Sequence, residues 1–370
     1  MAIFTADEPD RNPRRWGRRI GWILVIAAIV AGVVLANLPT SYVIEQPGPV
    51  FNTIGTTVVD HKTVPVLSIS GRKTYPTSGA LDMLTVNLSG QPGNTPNWAQ
   101  VVAAWFDPSQ AVVPIDEVYA PQQTVQQSNK ESTEEMTDSQ QQATAAALFE
   151  QGISFKSKIS VVGTIKGTGA AGIFKDNDVL TRVNGKTFVD ADQLHSIVVA
   201  NGTSKPLTID FTRGGVAHTA QLTPKASSAG PVVGVYLAEK YTFPFPVSVQ
   251  LQDVGGPSAG MMFALGLIDK LTPGELNGGK HVAGTGTITA YGTVGAIGGI
   301  RQKMYGAQRA GATYFLAPAS NCGGDDGVRG HIPAGLTVFA TSSLRQSVAD
   351  LKAIASGKGL DKLQTCSTTK

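Results

Sequence analysis

The chain has 370 residues and a mass of 38.6 kDa, which is enough for two or three domains with at least one full hydrophobic core. Hydrophobic residues make up 42% and charged residues 15% of the chain, and the net charge is +3, which argues against disorder, a coiled coil or a basic nucleic-acid-binding face. The two cysteines, Cys322 and Cys366, are too few for a zinc ribbon or a disulfide framework.

The first feature in chain order is an uncharged apolar run at residues 20–38, close in length to the ~20 residues that cross a bilayer core. Arginines crowd before this run, and no lysine or arginine follows it until Lys62, so the positive-inside rule predicts a cytoplasmic N-terminus. The prediction is a single-pass anchor in a bacterial cytoplasmic membrane, with the rest of the chain outside the cytoplasm. A cleaved signal peptide is the alternative, because residues 34–36 fit a small-residue cleavage site.

Extended chain and two helices are predicted next. Residues 42–69 are rich in β-branched side chains and broken by prolines, which indicates a stalk with short strands. Residues 80–88 alternate as a strand, and the apolar side chains of residues 98–106 fall on one helical face. The S-x-x-E pattern at residues 132–135 predicts a capping box that opens a helix running to Glu150.

A compact β-rich module is predicted for residues 153–224. Its Gly-Ala turn leads to Asn177-Asp178-Val179-Leu180 and then to Arg182-Val183-Asn184-Gly185, and the whole stretch resembles a PDZ domain with Asn177 in place of the usual glycine. The resemblance implies that Gly152-Ile153-Ser154-Phe155 is the carboxylate-binding loop, whose backbone amides hold a peptide C-terminus. An ordinary turn is the alternative for this tetrapeptide.

A glycine-rich turn before an apolar helical pattern places Ser258 near a helix N-terminus. Amides and the positive end of a helix dipole stabilise an oxyanion, which makes Ser258 a candidate nucleophile. An N-cap serine is the alternative. The predicted nucleophile loop also contains four small or rigid residues, Gly256, Pro257, Ala259 and Gly260.

A serine nucleophile requires a base, and Lys303 is the better candidate. Glycines between positions 292 and 299 form a tight turn, and the helix predicted at residues 301–310 places Lys303 in its first turn. There, the helix dipole and partial burial are expected to lower the lysine pKa towards the ~7 to 8 of a general base. Asp325 and His331, in the chain order of an α/β-hydrolase, are the alternative, but the chain lacks the repeated βα units of that fold.

Together the two segments resemble the proteolytic domain of Lon proteases. The shared motifs are G-P-S-A-G at residues 256–260, T-G-T-I-T at residues 285–289, and G-x-V-x-x-I-G-G-I-x-x-K at residues 292–303. The resemblance implies a catalytic dyad of Ser258 and Lys303, with the Thr285 hydroxyl beside the lysine amine. Two accessory positions depart from the ATP-dependent members: Thr287 replaces a glutamate and Gly255 replaces an acidic residue, with Asp253 nearby but out of register.

The Lon resemblance extends to the strand after residues 77–81 and to an M-x-x-S-x-x-A helix at residues 136–143. The PDZ-like module is then an insertion in the protease fold. The nearest P-loop pattern, residues 274–280, ends in His281 where a serine or threonine is needed, so no nucleotide is expected. The histidines show no ligand spacing, so no metal and no other cofactor are expected either.

The predicted fold class is α+β: an N-terminal transmembrane helix and a Lon-type proteolytic domain (ribosomal S5 domain 2-like) with an inserted PDZ domain. The predicted function is that of a membrane-anchored, extracytoplasmic, ATP-independent serine endopeptidase that acts on extended or unfolded proteins and peptides and binds no nucleic acid. A catalytically inert PDZ scaffold is the alternative.

The predicted segments are a basic tail (1–19), anchor (20–38), stalk (39–74), first protease part (75–152), PDZ domain (153–224), second protease part (225–356) and C-terminal tail (357–370). Whether Cys322 and Cys366 form a disulfide is left open.

Overall fold

The computed structural model describes residues 13–227, 230–252, 254–324 and 327–366. So far as these residues are described, the chain forms two compact units. An N-terminal unit comprises Met1–Gln46 and Leu88–Gln123, and a main unit comprises Pro47–Asn87 and Thr124–Lys370. Asp253 and Asp325 lie outside the described residues.

The described part of the N-terminal unit contains three helices and one strand pair. Its elements are α1 (Pro13–Asn37), the first part of β1 (Tyr42–Asn52), α2 (Trp98–Trp105), β6 (Ala111–Pro114) and α3 (Ile115–Val118). The predicted helix of residues 98–106 is confirmed as α2, which begins with a capping box between Asn97 and Gln100. Strand β6 pairs antiparallel with β1, from Tyr42 opposite Pro114 to Glu45 opposite Ala111.

The predicted membrane anchor is wrong. Among the residues that the structure describes, no helix combines the length and the apolar character that crossing a bilayer requires. This finding overturns the predicted transmembrane helix and the single-pass localisation with an extracytoplasmic catalytic part, and the predicted membrane partner is left without support.

The main unit is built on a sheet in which four strands run parallel. They are β5 (Ala80–Ser89), β15 (His281–Gly284), β18 (Tyr314–Pro318) and β19 (Thr337–Thr341), in the order β19-β18-β15-β5, with β1 next to β5. Four helices accompany the sheet: α4 (Val125–Glu150), α6 (Gly260–Leu271), α7 (Ile300–Arg309) and α8 (Leu344–Ser356).

Both faces of this sheet are covered, which corrects the predicted fold class. Successive residues of a strand point to opposite faces, and Val282 belongs to the core shared with Phe263 of α6, whereas Ala283 belongs to the core shared with Met304 of α7. Parallel strands need crossover connections: α7 connects β15 to β18, whereas the described part of the β18–β19 connection contains a 3-10 turn and no α-helix. The architecture is therefore mixed α/β, and not an α+β fold with a transmembrane helix.

Helix α4 starts earlier than predicted. Its capping box is formed by Thr124 and Gln127, so Ser132 and Glu135 lie inside the helix. The Thr124–Gln127 and Ser132–Glu135 pairs are both capping-box patterns. The upstream pair forms the N-cap because α4 is continuous from Val125 to Glu150. The predicted C-terminal limit is confirmed.

The β-rich module is a five-stranded antiparallel sheet with one helix. Its elements are β7 (Lys156–Thr164), β8 (Val179–Val183), α5 (Ala191–Asn201), β9 (Leu207–Arg213), β10 (Val216–Leu222) and β13 (Val235–Thr242), with strand order β10-β9-β8-β7-β13. Its apolar core includes Val161, Leu194 and Phe211. Strand β13 lies beyond residue 224, where the sequence pattern predicted the module to end.

Shorter elements connect these parts. They are β2 (Thr56–Val59), β3 (Lys62–Pro65), β4 (Leu67–Ile69), β11 (Lys225–Ser227), β12 (Gly230–Val232), β14 (Val247–Val249), β16 (Thr287–Ile288), β17 (Val294–Gly295) and two 3-10 turns, Ala319–Asn321 and Leu360–Lys362. Cys322 and Cys366 form a disulfide, which answers the question that the sequence left open.

Candidate active site

Ser258 lies two residues before helix α6, in a turn that only small residues can form. Gly256 adopts a left-handed φ of +80°, a conformation that other residues rarely adopt. A Cβ atom on Gly260 would lie 2.7 Å from the Ile288 Cγ2 atom, so the close approach of α6 to β16 requires glycine. The turn thus places Ser258, which is half-buried, at the N-terminal end of an almost fully buried helix.

Lys303 is presented by the first turn of α7. Gly299 caps this helix with a left-handed φ of +65°, and a Cβ atom there would lie 2.6 Å from the Val86 Cγ2 atom. The Lys303 amide donates to the Gly299 carbonyl within this first turn, and the Lys303 side chain is buried, with only 3% of the residue exposed. The glycine turn predicted before Lys303 therefore serves to place α7 directly against β5.

The structure brings the three predicted catalytic residues together. The Lys303 Nζ atom lies 2.7 Å from Ser258 Oγ and 3.2 Å from Thr285 Oγ1. Thr285 is 1% exposed and its hydroxyl donates to the Ser258 carbonyl oxygen at 2.9 Å. Thr285 thus contacts both members of the Ser258–Lys303 pair and fixes the lysine amine next to the serine hydroxyl.

The alternative base and the accessory positions are placed elsewhere. The Nδ1 atom of His331 lies 2.9 Å from the Gly327 carbonyl oxygen, whereas the side chain within hydrogen-bond distance of Ser258 Oγ is that of Lys303. Thr287 pairs with Gly295 in the β16–β17 hairpin. Gly255 packs against Ser132 of α4, where a Cβ atom would lie 2.8 Å from the Ser132 Cβ atom.

Ser139 contacts the nucleophile loop, and the sequence analysis assigned it no role. It is 5% exposed, and its hydroxyl donates to the Pro257 carbonyl oxygen at 2.9 Å. The M-x-x-S-x-x-A pattern marks Ser139 in the sequence. However, Ser139 and Pro257 are 118 positions apart, so the sequence does not indicate that they are in contact.

Two aspartates of the β-rich module bind the loop between β16 and β17. Asp190 is the N-cap of α5, where it accepts a hydrogen bond from the Gln193 amide at 2.7 Å, and its other carboxylate oxygen accepts one from the Tyr291 amide. Asp192 accepts a hydrogen bond of 2.6 Å from the Thr293 hydroxyl. Burial raises the pKa of Asp190, although the two amides that bind its carboxylate act in the opposite direction.

Glu239 of β13 extends this contact to α4. Its carboxylate accepts hydrogen bonds from the Ala191 amide at 2.5 Å, the Gln142 amide group at 2.7 Å and the Tyr241 hydroxyl at 2.5 Å. Gln142 in turn accepts from the Ala290 amide at 2.7 Å. Burial, followed by the nearby Glu239 carboxylate, raises the pKa of Tyr241, so its hydroxyl stays a donor. We call the contacts of Asp190, Asp192 and Glu239 with α4 and the β16–β17 loop the module latch.

The predicted carboxylate-binding loop, Gly152-Ile153-Ser154-Phe155, follows the C-terminus of α4. The amides of Gly152 and Ile153 donate to the carbonyls of Phe149 and Leu148, at 3.0 and 2.9 Å. The Phe155 ring packs against the rings of Tyr241 and Phe243, with centroids 5.9 Å away in each case. Two of the four amides are thus used inside the chain to end α4.

An apolar groove lies between α5 and the segment that leads into β13. It is lined mainly by aliphatic and aromatic side chains, among them Phe174, Leu180, Leu194, Val198, Val233 and Leu237. Strand β13 is the last strand of the module sheet, and its outer edge has no partner strand among the described residues. The free edge and the groove together offer backbone donors and acceptors next to an apolar surface.

Comparison with known families agrees with this geometry. Residues 252–352 match the family described as the Lon protease (S16) C-terminal proteolytic domain. The chain is 36% identical over 94 residues to Lon protease 1 of Sorangium cellulosum (25% of this chain, 11% of that protein) and 36% identical over 106 residues to Lon protease 1 of Bacillus subtilis (29% and 13%). It is 48% identical over 66 residues to the Lon protease of Roseiflexus castenholzii (18% and 8%). The chain thus spans 8% to 13% of the length of these relatives.

Two solved structures are similar to part of the chain. The PDZ domain of an SdrC-like protein from Listeria innocua covers 22% of this chain and 92% of that domain, with 20% identity and a TM-score of 0.21. The corresponding domain from Listeria monocytogenes covers 21% and 85%, with 17% identity and a TM-score of 0.20.

The family match contains both Ser258 and Lys303, the two residues that the structure places 2.7 Å apart. The prediction of a serine peptidase is confirmed by the match of residues 252–352 to the proteolytic domain of Lon proteases.

Proposed function

We propose that this chain is an ATP-independent serine endopeptidase that hydrolyses extended peptide segments through Ser258 and Lys303. The observation that carries the proposal is the 2.7 Å contact between Lys303 Nζ and Ser258 Oγ in a buried site. In its neutral form, the Lys303 amine accepts the serine proton, and Ser258 Oγ attacks the carbonyl carbon of the substrate. Lys303 then donates the proton to the leaving amine, and water hydrolyses the resulting ester.

Thr285 supports this chemistry by holding the lysine. A lysine side chain is a flexible four-carbon chain, so it loses much conformational entropy when its amine is held in one position. The Thr285 hydroxyl contacts Nζ at 3.2 Å and keeps it within reach of Ser258. The small residues Gly256, Pro257, Ala259 and Gly260 let a substrate backbone approach the serine, and the start of α6 adds a positive helix dipole next to the reacting carbonyl.

We also propose that the β-rich module binds the peptide substrate in the groove between α5 and β13. A peptide can add a strand to the free edge of β13 and place an apolar side chain against Leu194 and Val198. This groove accounts for peptide binding better than Gly152-Ile153-Ser154-Phe155, because the amides of Gly152 and Ile153 already bind carbonyls of α4.

The dyad is tested by Ser258→Ala and Lys303→Ala in the full chain, measured with fluorogenic peptides. We expect each variant to lose at least about 10³-fold in kcat, because the nucleophile or its base is missing. In the wild type the rate should rise with pH, since only the neutral amine accepts the serine proton, and addition of ATP should not change it.

Lys270 is the matched control. It is a half-buried lysine of α6 that donates to the Ile54 carbonyl, so Lys270→Ala should retain hydrolysis. Activity retained in Ser258→Ala or Lys303→Ala would contradict the dyad. A wild type that binds peptides in the groove but hydrolyses none would favour the inert scaffold.

A further inference from the structure

Helix α4 holds the nucleophile loop through two hydrogen bonds. The Ser132 carbonyl accepts a hydrogen bond from the Gly256 amide at 2.9 Å, and the Ser139 hydroxyl donates to the Pro257 carbonyl at 2.9 Å. A Cβ atom on Gly260 would lie 2.9 Å from Ser139 Oγ, so the absence of a side chain there makes room for this hydroxyl. Because Ser139 is a buried side chain whose hydrogen bond goes to the residue before the nucleophile, it can affect how the nucleophile is presented.

The contact determines where the Ser258 amide points. In a trans peptide the C=O of one residue and the N–H of the next point in opposite directions. Since Ser139 draws the Pro257 carbonyl towards α4, the Ser258 N–H points away from α4. Among the described residues, this N–H has no backbone acceptor.

The peptide on the other side of the nucleophile is held in the same way. The Ser258 carbonyl accepts hydrogen bonds of 2.9 Å from both the Gly286 amide and the Thr285 hydroxyl. By contrast, apart from Ser139, the only hydrogen-bond donor that the described residues offer to the Pro257 carbonyl is the Gly260 amide, at a long 3.4 Å. The proline ring fixes φ of residue 257 but leaves its ψ free, so the ring alone does not prevent the Pro257–Ser258 peptide from rotating.

We propose that Ser139 is a positioning residue that orients the Ser258 amide to bind the oxyanion of the tetrahedral intermediate. This inference rests on the proposed function, since an oxyanion forms only when Ser258 attacks a carbonyl. A donor fixed before the reaction stabilises the developing charge without reorganisation, and removal of one such donor typically reduces kcat by ~10² to 10³. Rotation of the peptide away from the reacting carbonyl causes a partial loss of the same kind.

The test compares Ser139→Ala with Ser139→Thr in the full chain. We expect Ser139→Ala to lower kcat by about 10- to 100-fold and to change KM less than about twofold, because the amide acts on the transition state and not on the bound substrate. Ser139→Thr keeps the hydroxyl and should restore kcat to within a few-fold of the wild type. The pH dependence of the rate should stay unchanged in both variants, because Lys303 still contacts Ser258.

Thr144→Val is the matched control. Thr144 is a buried residue of α4 whose hydroxyl donates to the Gln140 carbonyl of the same helix, so its loss should leave kcat unchanged. A peptide boronic acid supplies a second readout, since its adduct with Ser258 mimics the tetrahedral intermediate. Its affinity should weaken in Ser139→Ala by the same factor as kcat, whereas the affinity of a product peptide should not change.

Several outcomes overturn the inference: an unchanged kcat in folded Ser139→Ala, a loss confined to KM, or a shifted pH profile. If Ser139→Ala does not fold, Ser139→Cys replaces it with the same expectations, because a thiol is a weak donor of similar volume. A wild type that hydrolyses no peptide contradicts the proposed function and this inference together. An active wild type with an equally active Ser139→Ala variant contradicts this inference alone.

Discussion

Asp350 of α8 is a buried carboxyl group outside the active site. It is 3% exposed, and one of its carboxylate oxygens has no hydrogen-bond partner in the part of the chain that the structure describes. Burial raises the pKa of Asp350 to about 6, because the charged form is poorly solvated there. The folded chain therefore binds this proton more tightly than the unfolded chain, in which an aspartate has a pKa near ~3.9.

This pKa shift predicts the effect of pH on stability. Between roughly pH 4 and pH 6 the folded state binds more protons at Asp350 than the unfolded state, so the free energy of unfolding falls as pH rises through this window. Asp350→Asn removes the charge and should raise the free energy of unfolding by about 1 to 2 kcal/mol at pH 7.5, with little gain at pH 4. Urea denaturation at both pH values measures the difference. The exposed Asp361 supplies the control Asp361→Asn, and equal gains at both pH values would contradict the burial argument.

The active-site residues differ in how visible they are in the sequence. Ser258 and Lys303 each lie in a local glycine-rich turn before a helix, so spacing within a short segment predicts their roles. Ser139 and Asp190 act on Pro257 and on the β16–β17 loop, which are 118 and 101 positions away. No local pattern encodes such contacts, because they form only when distant elements pack together.

At the scale of elements, the module latch connects the groove helix α5 to the catalytic domain. Asp190 both caps α5 and binds the Tyr291 amide, and the β16–β17 loop that contains Tyr291 follows Thr285 and Gly286 of the active site. A hydrogen bond to a charged acceptor contributes about 1.5 to 3 kcal/mol, so the latch should hold this loop in place.

The latch predicts a local change in hydrogen exchange. Asp190→Ser keeps an N-cap acceptor for α5 but loses the second oxygen that binds Tyr291. We expect amide exchange in residues 289–293 to become about 10-fold faster or more, since each ~1.4 kcal/mol changes local opening tenfold. Asp210→Asn is the control, because Asp210 binds the Thr219 hydroxyl within the module. Unchanged exchange in Asp190→Ser would show that the loop is held without the latch.

The boundaries of elements were harder to predict than their existence. The strand at residues 80–88 and the helix at residues 98–106 are confirmed because their side chains alternate or repeat with the period of the element. The predicted start of α4 is wrong by eight positions, since the polar residues after Thr124 carry no apolar period and the S-x-x-E pattern at Ser132 is an equally suitable capping signal. Which of two capping patterns starts the helix is decided only when the whole helix packs against the rest of the protein.

At the scale of the molecule, long-range pairing was the least predictable feature. Strands β15, β18 and β19 are short and pair parallel through longer connections, one of which is helix α7. No hairpin signal therefore marks them, and the α+β prediction is wrong. Strand β13 joins the module sheet from outside the predicted range, because its pairing with β7 spans the whole insertion. The disulfide joins Cys322 to Cys366 across a sequence separation of 44 positions, and the sequence alone does not show whether these two cysteines pair.

The pairing of β7 with β13 permits a clean removal of the module. Ser157 lies opposite Tyr241 and Lys158 lies opposite Lys240, so the two ends of the module run side by side. A short Gly/Ser turn that replaces residues 158–240 can therefore join the two strands as a hairpin. The aromatic cluster of Phe155, Tyr241 and Phe243 stays intact in this variant.

The last prediction is that this replacement separates recognition from chemistry. Ser258, Lys303 and Thr285 remain in place, so kcat/KM for small unstructured peptides should stay within about 10-fold of the wild type, with the loss due to the missing latch. Long unfolded protein substrates should be cleaved at least 10-fold more slowly, because the groove no longer raises their effective concentration near Ser258. Gel-based cleavage of an unfolded protein and fluorogenic peptide assays measure the two rates in parallel. Equal rates on both substrates would contradict delivery by the module, and faster cleavage of both would show that the module covers the active site.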